Sequence, residues 1–299
     1  MKCIVIYSPF AKRGRINKLK SQIEVILKEK YKVVDFAQTE CAGHAVALAR
    51  DACGKYDLII AVGGDGTFSQ VVCGVAEQPN KPRLAFLPAG TVNDTARSMH
   101  IPLKFKSAIE VAVNGRPIYF DVLKTNSKYG VYVLSAGICT SCTYLTKQRN
   151  KQILGFIAYF LKGFSSFFKK YCIPLKITLD NGEVHDTNFS FVLFFNSRSV
   201  AGFPINLDAE LDDGKIDVLL LKNYKTGPFK SLRNSFNVLR LFMFGYKSLS
   251  KSRQIVLTQT TRAMIENPQN VEFNLDGDFG GKDDIDLSVL KNELQIMVP

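Results

Sequence analysis

Apolar and polar positions change rhythm once along the chain. In the first part, short apolar runs alternate with segments of helical period. Residues 2–7 carry Cys3, Ile4, Val5 and Ile6 in an unbroken run that Ser8-Pro9 stops, which predicts a buried strand. In 16–30, Ile16, Leu19, Ile23, Ile26 and Leu27 recur at the spacing of one helix face. A strand over 31–37, a small-residue helix over 41–53, an apolar strand over 57–62, a helix over 68–76 and a strand over 83–87 follow. A further helix opens near Asn93. This β-α-β-α-β-α-β order predicts a Rossmann-like parallel sheet covered by helices.

After Phe120 the rhythm becomes mostly strand-like. Apolar or alternating runs occupy 120–125, 129–137, 175–179, 189–196, 215–222, 254–261, 264–266, 271–275 and 294–298. Two segments of helical pattern, 151–170 and 229–244, interrupt them. The pattern predicts an all-β second domain, an antiparallel β-sandwich with helical insertions. The domain boundary falls near residue 122. That gives an α/β domain over 1–122 and a β-rich domain over 123–286. Residues 287–299 are placed to pair back onto the first domain.

The 299 residues, 46% hydrophobic and 22% charged, suffice for two such cores. The start is too short and too soon broken by Pro9 for a signal peptide. No stretch is a good transmembrane candidate. Seven cysteines without framework spacing suggest reduced thiols in the cytoplasm. Cys139-x-x-Cys142 sits in a strand-like stretch and reads as buried thiols rather than a zinc or redox pair.

Charge changes the picture more. Residues 122–179 and 218–265 contain no Asp or Glu, and each stretch holds nine Lys/Arg. The whole chain is +12, so the remainder is mildly acidic. Such asymmetry points to a polyanionic surface, either anionic lipid or nucleic acid, with a solvated basic face as the plain alternative.

The chemistry concentrates in loops between strand and helix. Gly63-Gly64-Asp65-Gly66-Thr67 follows an apolar strand and opens a helix, so its amides and the helix N-terminus can cradle a phosphate. A carboxylate there makes sense if Asp65 holds Mg²⁺ or takes a proton from an attacking hydroxyl. Thr67 can cap the helix or bond a phosphate oxygen. Gly90-Thr91-Val92-Asn93-Asp94 forms a second such loop, on the same sheet edge in a parallel sheet. Ser8-Pro9-Phe10-Ala11-Lys12-Arg13 is a third and weaker one. Asn274-Leu275-Asp276-Gly277-Asp278 offers a base or metal ligand, or a plain hairpin turn. Glu210-Leu211-Asp212-Asp213-Gly214-Lys215 offers a hard-cation site, or a plain β-turn.

Together these motifs resemble the bacterial soluble diacylglycerol kinases, a branch of the superfamily that also holds the sphingosine and ceramide kinases. The matching residues are Gly63–Thr67, Pro88-x-Gly90-Thr91-x-Asn93-Asp94-x-Ala96-Arg97, Asn196–Phe203, Asp208-Ala209 and Leu211–Gly214. The resemblance implies ATP held by Ser8, Pro9, Phe10, Ala11, Thr39, Gly64 to Gln70 and Thr91, with Arg13 and Asp94 completing the site. It implies that Asp65 works with Mg²⁺, and that the Asp276-Gly277-Asp278 turn supplies the general base. It also implies a structural Mg²⁺ on the Asp213 side chain and the carbonyls of Glu210 and Lys215. The chain departs from the family at Ser8, Lys12, Ser69, Gln70 and Asp278. Losing an acid at Gln70 bears on nucleotide preference.

A lipid kinase must reach a bilayer. Residues 153–170 and 239–244 combine apolar side chains with Lys162, Lys169, Lys170, Arg240 and Lys247, a pattern for docking on an anionic membrane, or for core helices. The implied function is ATP-dependent phosphorylation of a neutral lipid, foremost diacylglycerol, with sphingoid bases and phosphatidylglycerol as other acceptors. No nucleic acid is expected. A homodimer is compatible with the sequence, which does not require one. The rivals are a soluble-metabolite kinase of the NAD kinase type and a weakened lipid- or nucleotide-binding module.

Overall fold

The computed structural model describes residues 1–11, 16–137, 172–223, 236–237, 240–241, 243–249 and 254–299. The first half holds four parallel strands, β1 (Lys2–Tyr7), β2 (Val33–Gln38), β3 (Leu58–Gly63) and β4 (Arg83–Pro88), ordered β4-β3-β1-β2. Strand β3 is buried along its whole length, as a central strand covered on both faces must be. The helices are α1 (Ile16–Lys28), α2 (His44–Ala52), α3 (Asp65–Val75), α4 (Asp94–Ser98) and α5 (Phe105–Asn114).

Two helices differ from the sequence reading. Helix α3 starts three residues earlier, because Gly64 takes the extended N-cap conformation (φ −93, ψ −176). Asp65 then sits in the first turn, where the helix dipole favours an acid. Helix α5 was missed. Its signal, Ala108, Ile109, Ala112 and Val113 on one buried face, lies just before the change of rhythm.

The second half comprises β5 (Arg116–Lys124), β6 (Tyr129–Gly130), β7 (Val133–Gly137), β8 (Ile173–Leu179), β9 (Val184–Phe195), β10 (Ser199–Val200), β11 (Phe203–Pro204) and β12 (Ile216–Lys222). It continues with β13 (Ile255–Thr260), β14 (Arg262–Glu266), β15 (Phe273–Leu275), β16 (Asp278–Gly281) and β17 (Ile285–Val298). Pairing among these strands is antiparallel. They curl around a core of their own, built from alternate residues such as Val192 and Phe194 of β9 and Val218 and Leu220 of β12. The opposite faces of the same strands, Phe191, Leu193, Leu219 and Leu221, join the core of the first half. Burial on both faces explains why these strands read as continuous apolar runs.

Strand β17 joins the two arrangements. Its first residues pair antiparallel with β14, β5 pairs antiparallel with it from Ser288 to Val298, and on the other side Ile296 pairs in parallel with Leu84 of β4.

The expected helix over 151–170 and the Cys139/Cys142 pair lie outside the described residues, as does most of 229–244. Of that last segment Leu241 is buried, while Phe236, Met243 and Phe244 are exposed. Among the described residues no helix is long and apolar enough to cross a membrane.

Candidate active site

The carboxyl ends of β1 to β4 gather the predicted loops on one edge of the sheet. Ser8 follows β1 and its amide donates to Val62 O of β3 (3.1 Å); the Ser8 carbonyl accepts from the Ala11 amide (2.9 Å). Pro9 is half-buried in this turn and Phe10 exposed. Thr39 ends β2, its amide donating to Tyr7 O (2.9 Å). Arg13 lies outside the described residues.

The two glycine loops touch backbone to backbone. A Cβ added to Gly90 would stand 2.6 Å from Gly64 Cα, and one added to Gly63 would stand 2.3 Å from Thr67 Oγ1. Both positions are closed to a side chain by the protein's own packing. Gly66 is different. It lacks a positive φ, and a Cβ there would meet nothing within 4 Å. Among the described glycines it is the one that neither conformation nor crowding explains. Among the described residues no atom fills the space in front of it at the N-terminus of α3, where helix amides favour an anion.

Asn93 does not cap α4 with its side chain. It adopts a left-handed conformation (φ 57), and its amide group pairs with both the N–H and the C=O of Gly90 (3.1 Å each). The α4 cap comes from the other loop, where Asp65 Oδ1 accepts from the Thr95 amide (3.0 Å). Thr67 likewise lies inside the first turn of α3, its amide donating to Gly64 O. Thr91 is exposed and Gln70 half-buried.

Asp94 is 1% exposed. Its Oδ1 accepts from Ser199 Oγ (2.5 Å) and the Gly202 amide (2.8 Å). Burial pushes its pKa up to about 6, and the charge of neighbouring Asp65 adds to this against the pull of the Ser199 bond. Burial raises Asp65 as well, opposed by the Thr95 amide. Two carboxylates with raised pKa values thus lie at one edge of the sheet, an arrangement typical of functional sites.

The same segment grips the other end of α4. Ser98 Oγ and Ser197 Oγ are 2.7 Å apart, and Arg198 Nη1 donates to Ser98 O (2.7 Å). The 196–203 motif therefore builds the wall that holds the second loop. Sequence reasoning gave Ser98, Ser197 and Ser199 no role, since their partners lie about a hundred positions away.

Helix α3 carries a polar stripe at i, i+4 and i+8. Asp65 reaches α4, Ser69 Oγ donates to Asp276 Oδ2 (2.7 Å), and Cys73 Sγ donates to Tyr129 O (3.0 Å). Cys73 is lifted to about 11, by burial first and by the charges of Asp276 and Asp278. Asp276 is 5% exposed and also accepts from the amides of Val131 (2.5 Å), Tyr132 (3.0 Å) and Val133 (3.0 Å). Burial raises its pKa against these four donors. Asp278, at the start of β16, is exposed.

Glu210 and Lys215 are exposed and Asp213 is half-buried, with Oδ1 accepting from the Lys215 amide (2.9 Å). Beneath them Asp121 is buried and takes the amides of Gly214 (2.6 Å) and Asn292 (2.7 Å). Its pKa is raised, by burial first and then by the charges of Asp213 and Asp212. Among the described residues no group of three or more His, Cys, Asp or Glu side chains is arranged to hold a metal.

A family model for the diacylglycerol kinase catalytic domain matches residues 2–125. A Staphylococcus haemolyticus protein named diacylglycerol kinase is 30% identical over 297 residues, covering 99% of this chain and 87% of that protein. A Staphylococcus aureus diacylglycerol kinase is 30% identical over 298 residues, covering 99% and 91%. Among solved structures, a diacylglycerol kinase from Bacillus anthracis superposes with a TM-score of 0.79 at 24% identity, covering 100% of this chain and 97% of that one. Yeast NADH kinase complexed with NADH superposes with a TM-score of 0.53 at 12% identity, covering 99% and 82%, a likeness of fold alone.

Proposed function

The chain belongs to the diacylglycerol kinase family and is an ATP-dependent lipid kinase, and on that premise we propose that its acceptor is the hydroxyl of diacylglycerol, with phosphatidic acid as product. The observation that carries the reading is Gly66. Among the described residues nothing needs a glycine there, whereas an ATP phosphate set against the α3 amides does. The Ser8–Ala11 turn, Thr39 and Gly90–Asn93 border the same edge and complete the nucleotide's surroundings. The division of labour follows the sequence reading, with nucleotide on residues 1–122 and lipid on 123–286.

Mg²⁺ fits the donor set around Asp65 and Asp94. Mg²⁺ in kinases takes one or two carboxylates and draws other ligands from substrate phosphates and water, so three protein acids are not needed. When bound it would offset charge on the transferring phosphoryl group. A second cation, on Asp213 and the carbonyls of Glu210 and Lys215, fits a half-buried carboxylate above the buried Asp121.

Of the two carboxylates in the 276–278 turn, Asp276 is saturated by four donors, which suits a structural anchor. The exposed Asp278 suits the general base that accepts the lipid hydroxyl proton.

Contact with an anionic membrane surface from the cytoplasm belongs to the same reading. Met243 and Phe244 are 60% and 69% exposed, and Arg240 beside them is exposed too. The Tyr246 amide donates to Ile205 O (2.9 Å), which seats this segment against the loop carrying Leu207, itself 71% exposed. Large exposed apolar side chains with basic neighbours suit an interface.

The experiment is transfer of label from [γ-³²P]ATP on vesicles holding diacylglycerol, a sphingoid base or phosphatidylglycerol, with wild type and Asp65→Asn. Label on diacylglycerol that vanishes in the variant supports the reading. Label confined to another lipid or to a soluble nucleotide overturns it, and so does no transfer at all.

A further inference from the structure

Ser69 is buried on α3, one turn beyond Asp65 and on the same helix face. Its hydroxyl donates to Asp276, 207 positions away. Asp276 and Gly277 form a two-residue hairpin turn with φ values of 51 and 91, and Leu275 pairs with Asp278 across it. Two positive φ values are the geometry of a tight type I′ turn, so the position of Asp276 dictates that of Asp278. The amides of Val131, Tyr132 and Val133 fasten the turn to β7. The Ser69 bond fastens it to the helix that opens at the phosphate loop.

We propose that Ser69 is a positioning residue for phosphoryl transfer, its hydroxyl holding the Asp276-Gly277-Asp278 turn, and with it the Asp278 carboxylate, in register with the phosphate loop. The proposal rests on the reading of Asp278 as general base. Helix α3 is a rigid ruler in this arrangement. Asp65 ties its start to α4, and Ser69 ties its next turn to the hairpin. Both ends of the transfer are thereby measured from one element. A shift of about 1 Å between reacting groups costs on the order of 100-fold in rate. The phosphate contacts read for Gly64 to Thr67 lie one turn before Ser69, whose hydroxyl is committed to Asp276, so ATP binding does not depend on this bond.

The test uses the full chain with Ser69→Ala, Ser69→Thr and Ser69→Cys, assayed with ATP and diacylglycerol in mixed micelles across pH. For Ser69→Ala, kcat falls roughly 10- to 100-fold with KM for ATP unchanged. The acid limb of the kcat profile moves to higher pH, because the lost donor had been holding the Asp276 carboxylate down, and protonation of Asp276 loosens the turn that carries Asp278. Ser69→Thr, which keeps the hydroxyl, restores both, and Ser69→Cys, a near-isostere with a weak donor, falls between. The proposal fails if Ser69→Ala matches wild type in kcat and pH profile, if KM for ATP rises in step with the loss, or if Ser69→Thr is as damaged as Ser69→Ala. Should Ser69→Ala not fold, Ser69→Cys decides by the same criteria. A wild type without transfer to diacylglycerol instead overturns the underlying reading, and this proposal with it.

Discussion

Ser199 Oγ lies 2.5 Å from Asp94 Oδ1, a bond between residues 105 positions apart that ties the second glycine loop to the β10–β11 hairpin. A buried carboxylate is costly unless donors surround it. The Ser199 hydroxyl and the Gly202 amide supply two donors, yet the Asp94 pKa still stands at about 6 rather than the ordinary 3.8. Ionised Asp94 is therefore a strain on the fold.

That strain has a sign in pH. Between about 4 and 6 the folded chain holds the Asp94 proton that the unfolded chain has released, so this residue's contribution to stability falls as pH rises through that window. Asp94→Asn removes the titration and keeps an acceptor oxygen. It should gain on wild type by roughly 2–3 kcal/mol between pH 4 and pH 8, since each pKa unit is worth about 1.4 kcal/mol. Denaturant titrations of both chains at the two pH values check it, and parallel curves refute it. Transfer activity should be lost.

Gly66→Ala separates folding from binding. The added Cβ meets no atom of the described residues within 4 Å, and alanine is the better helix former by about 0.5–1 kcal/mol. The variant should melt at or above the wild-type temperature while losing ATP binding by calorimetry. Wild-type affinity in the variant would remove the main support for a phosphate at that spot.

Gly90→Ala should behave in the opposite way. Its Cβ would stand 2.6 Å from Gly64 Cα, backbone against side chain, with no flexible atom to move aside. A loss of roughly 1–3 kcal/mol, as for overpacking, is expected in chemical denaturation.

Phe68 directly follows the Gly63–Thr67 loop, yet it is a core residue, fully buried, with its ring 4.9 Å from Phe86 and 6.4 Å from Phe120. Phe68→Ala should cost about 3–5 kcal/mol in chemical denaturation. Activity per folded molecule should stay close to wild type, and a loss of activity beyond the loss of folded protein refutes a purely structural role.

Met243→Glu with Phe244→Glu should abolish sedimentation with anionic vesicles at low salt, yet leave transfer to a short-chain, water-dispersed diacylglycerol intact. Charge reversal at Lys169 and Lys170 should weaken the same sedimentation. Unaltered sedimentation by both variants argues against a basic apolar docking face.

The parallel half was legible because its signals are local. An apolar strand such as β3, stopped by Gly63-Gly64, announces strand, loop and helix within a dozen residues. The contacts that shape the site are of another kind. Ser199 with Asp94 and Ser69 with Asp276 join residues 105 and 207 positions apart, and no periodicity marks a distant partner. A serine that anchors a carboxylate looks in sequence like any polar position. The 276–278 turn shows the same limit. Its two aspartates are alike in the sequence, and only the fold buries one under four donors and leaves the other exposed.

Strand β17 bears on how the chain acquires its shape. Strands β1 to β4 are local in sequence, but the neighbour that covers the open side of β4 is supplied by Ile296, beyond all the antiparallel strands. Until β17 is in place, β4 presents an unprotected edge, a template for wrong pairing, right beside the loops that follow β3 and β4. A change that weakens β17 would therefore strike the α/β half, although β17 lies far from it along the chain.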